Sequence, residues 1–477
     1  MRVVLTVAPL VVCLLGASPV RAQGPSSSGG TPSRQIAAPG SSSPFLGGVP
    51  QGTATADAIP ITILDAIDRA LERNLGLLNA EQDVRHAEGS RWTALADLLP
   101  NVSGRLSENR QRINLAAFGF PLPPGTPALV GPFNVFDARV NLSQPVFDLR
   151  ALNEARAEGH NVAAARHSVK SARDLVVLVA ANLYLQGLAS AARLDSARAQ
   201  VDTAQALYQQ ATDMKTSGLV AGIEVLRAEV QLSTQRQRVT ASQNELEKTK
   251  LLLARVMGLP AGQAFTLSDE LPFVPPPDMT LEEALSRAFR SRPDFLAAQE
   301  RLEAAEAERR AAVGELLPSV RVNADYGKIG LTPGTAESTY ALAGVLNIPI
   351  FNGGRTRGRL LQADADMRTR RSEVEDLRAG IDVEVRSAFL DLQASREQLE
   401  VATRARELAG EQLRQSRDRF AGGVASNIEV VQSQEAVALA SEQYIAALYG
   451  FNIAKAMLAR DLGMAEEGAR QFIGGVR

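Results

Sequence analysis

One cysteine, three histidines, one tryptophan and an aromatic content of 5% are all that 477 residues offer of the side chains behind redox chemistry, metal ligation and thick cores. The single thiol, Cys13, sits inside the apolar run Val3 to Leu15, behind Met1-Arg2. That run is too short to span a bilayer, and Val20-Arg21-Ala22 puts small residues on a cleavage site, so residues 1–22 are predicted to be a bacterial secretory signal peptide. The flanks of Cys13 do not form a lipoprotein box. A chain cut after Ala22 carries no thiol, which excludes disulfides, a cysteine nucleophile and thiolate metal sites. Charge of one sign is missing too. The net charge is −2 and no like-charged tail occurs, so nothing favours nucleic acid as a partner.

Long hydrophobic runs are equally scarce. The best candidate after the signal, Leu175 to Ala192, is broken by Asn182 and Gln186 and preceded by Asp174. It reads as the buried face of a longer helix and not as a membrane span. A β-barrel leaves a weaker trace and stays open. His160 and His167 lie seven residues apart on a helical stretch and His86 is remote, a pattern of solvated faces and not of a metal site. No nucleophile–base constellation and no phosphate loop is visible, so neither an enzyme nor a cofactor is expected.

What is present is a duplication. "ILDAIDRALERN" (Ile63 to Asn74) matches "LEEALSRAFRSR" (Leu281 to Arg292), and "LLPNVSGRL" (Leu98 to Leu106) matches "LLPSVRVNA" (Leu316 to Ala324). "QPVFDLR" (Gln144 to Arg150) then matches "IPIFNGG" (Ile348 to Gly354), with an offset about 14 residues smaller, so the first copy holds the longer loop, within Asn114 to Phe133. "YLQGLAS" (Tyr184 to Ser190) matches "FLDLQAS" (Phe389 to Ser395). The predicted organisation is a Gly/Ser/Pro-rich extended lead-in (23–60), a first copy (61–268), a linker (269–279), a second copy (280–463) and a tail (464–477).

Each copy opens with a short helix pair, about 62–98 and 280–316. Two segments with strict period-two alternation follow, which is the signature of a half-buried strand. They fall at about 100–112 and 134–148, then at about 318–329 and 338–351. Phe136, Ala138, Val140 and Leu142 share one face, for example, against Asp137, Arg139, Asn141 and Ser143. The remainder is helix. Ala151 to Lys215 has no proline, and about 65 residues at 1.5 Å each reach about 100 Å; Arg355 to Ala421 is its counterpart. Both break at glycines, Gly218 and Gly422-Gly423, which suit the positive φ of a helix end. Both return through shorter helices, about 223–257 and 428–462. The breaks are hairpin tips, and Ser426-Asn427-Ile428-Glu429 fits a capping box for the returning helix.

Four amphipathic strands cannot close a barrel, and open sheet edges are not tolerated in lipid, so several copies must contribute. Two would fill the interior with side chains, whereas three leave room for a channel. "LLPSVRVNADYG", "IPIFNGGRTRGRLLQADAD" and "RFAGGVASNIEVVQSQ", in tandem repeats behind a signal peptide, resemble the TolC-type outer membrane efflux proteins over nearly all of Ile61 to Gly463. The resemblance implies a mainly α chain with a β-barrel part. It implies a homotrimer with a twelve-stranded barrel in outer-membrane lipid, four strands per chain, continued by a periplasmic barrel of helical hairpins. It further implies an exit duct for small molecules, working with a periplasmic adaptor and an inner-membrane transporter.

The resemblance also places functional residues at the tips. Gly218, Leu219, Ala221, Gly222, Gly423, Val424, Ala425 and Ser426 would meet the adaptor, where small side chains let a partner helix approach the backbone. Glu224 and Glu429 stand where the family often has gate aspartates, and Gln432 falls on the family's second acidic position. A basic partner found in some members falls on Ala425. Carboxylates crowded around a threefold axis would repel one another, attract cations and respond to pH. A second, compatible reading makes Glu224 and Glu429 helix-start residues only. A type I protein-secretion duct could share the fold. A periplasmic adaptor usually has one coiled-coil hairpin flanked by small β domains, and a soluble coiled-coil scaffold would lack the alternating strands.

Overall fold

The computed structural model describes residues 43–119, 125, 127–271, 273, 279–422, 424 and 427–470. Each copy begins with a helix pair, α1 (Ile63–Arg73) and α2 (Leu75–Ala96) in the first, α5 (Leu281–Ser291) and α6 (Pro293–Gly314) in the second. The same device starts both. Thr62 Oγ1 accepts from the Asp65 amide while the Asp65 carboxylate takes the Thr62 amide, and Thr280 does likewise with Glu283. The pairs bend at Asn74 and at Arg292.

The alternating segments form one antiparallel sheet of four strands in the order β2 (Asn101–Asn114), β3 (Leu129–Phe147), β5 (Ser319–Gly330) and β6 (Glu337–Asn347). Its register puts Leu106 opposite Ala138, Val140 opposite Tyr326, and Tyr326 opposite Tyr340. One face is therefore apolar and aromatic. The other is polar: Arg139 reaches Asp137 (2.6 Å) and Asp325 (3.1 Å), and Ser143 donates to Asn323 (2.9 Å). Among the described residues, the outer edges of β2 and β6 have no partner strand. β3 begins five residues earlier than the alternation suggests, and with β2 it extends past the last β5 partner, Gly330, as a two-stranded finger.

From the sheet descend α3 (Leu149–Thr216, 68 residues) and α7 (Arg355–Ala421, 67 residues), each about 100 Å long. They return through α4 (Gly222–Val256) and α8 (Asn427–Asp461), 35 residues each. α3 is the axis of the molecule, touching α1, α2, α4, α6 and α8. Its apolar window, Leu175 onward, is long and apolar enough to cross a membrane by composition. It is instead packed into the main core, with Val176, Val177, Ala180, Tyr184 and Leu185 buried beside Ile61, Ile67 and Leu253.

Two short parallel strands, β1 (Ile59–Ile61) and β4 (Phe265–Leu267), were not foreseen, because three residues carry no readable period. They tie the start of the first copy to its end. The buried Tyr184 hydroxyl lies 2.8 Å from the Ile61 carbonyl and 2.9 Å from the Asp269 carboxylate, which also takes the Ile63 amide at 2.7 Å. Burial and the neighbouring Asp269 push the Tyr184 pKa upward.

From Ser43 onward the flexible or extended lead-in expected over residues 23–60 is packed against the first copy. Asn74 donates to the Phe45 carbonyl (2.7 Å), and Val49 and Leu75 exchange backbone bonds with Arg73 and Gly47. One glycine of this segment, Gly48, and one of α2, Gly76, serve close approach. A Cβ on Gly48 would stand 2.5 Å from the Arg255 carbonyl, and one on Gly76 would enter the Phe45 ring. Residues 1–42, including the expected signal peptide, lie outside the described residues.

A belt of charge crosses the molecule at the level of the helix pairs. Arg292, whose side chain is 4% exposed, holds Asp294 and Glu384 at 2.6 Å each, joining α6 to α7. Arg173 on α3 holds Glu466 (3.0 Å) on the short helix α9 (Ala465–Gly468). Half-buried Asp174 sits among these groups. Burial, with Glu466 and Asp294 nearby, pushes its pKa up to about 6 against the pull of Arg460 and Arg173.

Two predictions follow from these knots. Tyr184→Phe leaves the Ile61 carbonyl and Asp269 short of a donor and should cost about 1–3 kcal/mol, read as a lower thermal midpoint. For Asp174, the folded state takes up a proton at about 6 that the unfolded chain takes up only near 3.8. Stability should therefore rise as pH falls from about 6 to about 4, and Asp174→Asn should flatten that rise in a thermal-melt series across pH.

Candidate functional site: the two hairpin tips

The helix ends below the sheet are built alike. In the first, the Gly218 amide bonds the Lys215 carbonyl (3.0 Å), the Leu219 amide reaches back to Met214 (2.8 Å), and Gly218 takes φ +72°. In the second, the Gly422 amide bonds Asp418 (3.0 Å) and the Val424 amide reaches back to Arg419 (2.9 Å). This pairing of reach-back bonds satisfies carbonyls that a helix end leaves open. Gly422 itself sits at φ −79°, so the positive φ expected there does not hold. By register the counterpart of Gly218 is Gly423. Gly423, Ala425 and Ser426 lie outside the described residues, and so does the expected serine cap of α8.

The tips are not uniformly small. Leu219 and Val424, at equivalent positions, project into solvent with 71% and 75% exposure. Ala221 precedes α4 without a side-chain cap, and Gly222 is its first residue. Behind the tips, Leu207, Phe420 and Val430 form a buried apolar knot with Met214 and Leu413. A 2.7 Å bond between the buried Ser416 and Ser433 hydroxyls pins α7 to α8. Glu429, the neighbour of Val430, stays partly exposed.

The structure places Glu224 and Glu429 in the first turns of α4 and α8, as both sequence readings require. Each has an arginine partner that sequence reading missed. Glu224 is held by Arg227 at 2.6 Å, and Glu429 faces Arg419 across the hairpin at 3.6 Å. The first pair has the i,i+3 spacing that a helix brings together and was there to be found. The second exists only once the chain has turned. The carboxylates are thus locally compensated, which weakens the field a bare acidic ring would set up. Exposed pairs of this kind contribute at most about 1 kcal/mol and are screened by salt.

Gln432 stands three residues beyond Glu429 on α8. It lines a cleft of about 380 Å³ between α4 and α8, together with Arg227 and an apolar floor of Ile223, Leu226, Val230, Ile428 and Val431. The remaining singled-out groups are elsewhere. His160 Nδ1 lies 2.8 Å from Glu300, and burial lowers the His167 pKa.

An amphipathic four-stranded sheet with unpaired edges, joined to helical hairpins about 100 Å long, is the architecture of a membrane-anchored duct protein. Comparison with known proteins agrees. A family model described as outer membrane efflux protein matches residues 66–259 and 284–464. The pyoverdine export outer membrane protein OpmQ of Pseudomonas putida is 25% identical over 79% of this chain and 80% of its own length. The outer membrane protein OprJ of Pseudomonas aeruginosa is 22% identical over 85% of each chain. The CmeC outer membrane channel of Campylobacter jejuni superposes with a TM-score of 0.73 at 16% identity, covering 93% of this chain and 97% of that one. The chain belongs to the outer membrane efflux protein family, and its place is the outer membrane.

The paired arginines generate a prediction. Arg419→Ala together with Arg227→Ala should uncover the carboxylates at the mouth. Reversal potentials in a salt gradient should then shift toward cation preference, and Glu429→Gln in the same background should partly undo the shift.

Proposed function

We propose that three copies of this chain form one duct, through which small molecules such as drugs leave the periplasm. A periplasmic adaptor and an inner-membrane transporter feed it. The observation that carries this reading is the sheet. It has an apolar face for lipid, a polar face fit to line water, and two edges that only further copies can pair. Three copies supply about twelve strands, enough for an aqueous lumen, where two would supply about eight and a filled interior. Four long helices per chain continue the wall away from the membrane.

The mouth lies at the tips. Glu224 and Glu429 ring it with their arginine partners, and Gln432 borders the cleft beside them. Leu219 and Val424 offer an adaptor two projecting aliphatic side chains, framed by Gly218, Ala221 and Gly222 in the first tip. Gly423, Ala425 and Ser426 are assigned to the same surface in the second tip on sequence grounds.

The experiment is planar-bilayer conductance of the purified protein, with its mass measured in detergent. A trimer with a small conductance that rises in Glu224→Ala plus Glu429→Ala is expected. A small conductance unchanged by the pair would move the gate away from these carboxylates, and a protein forming no channel would sink the duct.

A further inference from the structure

We propose that the lipid-facing side of β5 and β6 holds the phosphate of an outer-leaflet glycolipid, with Lys328 as its cation. The inference rests on the outer-membrane placement of the chain and not on the duct reading. Chain connectivity orients the sheet. All four strands meet the helix-bearing segments at one end, marked by Asn101, Phe147, Ser319 and Asn347. With the helices on the periplasmic side, the opposite end, at Gly330 and Glu337, is the one toward the exterior.

Side chains alternate along a strand, so the apolar face presents Leu346, Leu342 and Tyr340 from β6 beside Val322, Ala324 and Tyr326 from β5. The next row toward the exterior is Lys328 opposite Ser338, both exposed. From Leu346 to Ser338 is about 27 Å along the strand, or about 21 Å along the membrane normal at a tilt near 40°. The apolar rows thus nearly fill the ~25 Å lipid-facing band of an outer-membrane barrel. Tyr326 and Tyr340, 65% and 82% exposed, close that band as an aromatic girdle. Lys328 stands immediately beyond it, at the level of the headgroups.

The grouping suits a phosphate. Ser338 lies directly across from Lys328, Tyr326 two residues along the same strand, and Tyr340 on the diagonal, all within about 8 Å. One ammonium with three donors and three hydroxyls therefore share a patch the width of a headgroup. Among the described residues Lys328 has no ion-pair partner. Glu337, the acid on β6, alternates to the polar face. Glu108 shares the lipid face but lies two strands away on β2, beside Arg110, and takes a 3.3 Å bond from Asn134. A charge-assisted bond from an ammonium to a phosphate oxygen is about twice as strong as a neutral one. The same lipid would lay its acyl chains on the rows of Leu342 and Ala324 below, a surface that a free phosphate cannot use.

The test is native mass spectrometry of the purified protein in mild detergent, with diphosphoryl lipid A or its phosphate-free form as the probe. The parent should retain the phosphorylated lipid several-fold better. Lys328→Gln should bring its retention down to about that of the phosphate-free form, while Lys328→Arg keeps most of it. Equal retention of the two probes by the parent, or of neither, overturns the proposal without recourse to any variant. So does Lys328→Gln with parental retention. Displacement of the lipid by millimolar inorganic phosphate would make this a free-anion site and overturn the lipid as its occupant. Bilayer conductance decides the duct reading separately, since lipid retention needs no open channel.

Discussion

A sheet edge cannot be left open in hydrocarbon, since each unpaired peptide group there costs several kcal/mol with no water to accept it. This chain has two such edges, on β2 and β6, and the rest of its design answers them. In the proposed duct other copies close the edges, and copies arranged about an axis bring their helices into a ring. Every strand of the sheet is entered from a helix or left into one, apart from the two hairpin turns. A closed barrel above therefore obliges a closed helical wall below. The long helices need no membrane-crossing hydrophobicity of their own, and the apolar window of α3 can be spent on the internal core.

Much of this was legible because it repeats. Period-two alternation located the four long strands, and the absence of proline located α3 and α7 to within two residues at each end. The glycine breaks located both tips. Physical reasons explain what was not legible. β1 and β4 are too short to show a period, and they form because distant segments meet. Residues 43–58 looked open by composition, yet Gly48 admits the Arg255 carbonyl at close range and Gly76 of α2 admits the Phe45 ring. β3 starts early at Leu129, where Gly131 and Pro132 blur the alternation that its register with β2 restores. Arg419 reaches Glu429 only across a turned chain.

The duplication has also been put to unequal use. Both copies start their helix pairs with the same threonine cap, and both bend at the same place. At the bend, however, the first copy has the buried Asn74, whose amide holds the incoming segment at the Phe45 carbonyl. The second has Arg292, which turns inward to clamp α7 through Glu384. One position thus fastens the chain's own beginning, and its twin fastens the neighbouring hairpin. The second hairpin is thus held at the belt through Glu384 and, lower down, through the Ser416–Ser433 bond.

The lengths of α3 and α7, 68 and 67 residues, carry one more consequence. A helix rises 1.5 Å per residue without slack, so these two elements act as a ruler between the outer membrane and the tips. Removing two turns from one alone would leave the tips at different heights and the mouth slanted. Both hairpins must shorten together, and in steps of about seven residues, if the small side chains of their seams are to face each other again. The gap such a duct can bridge is therefore not continuously adjustable. It changes in paired increments of roughly 10 Å, so a lineage whose periplasm narrows or widens must alter this chain twice at once.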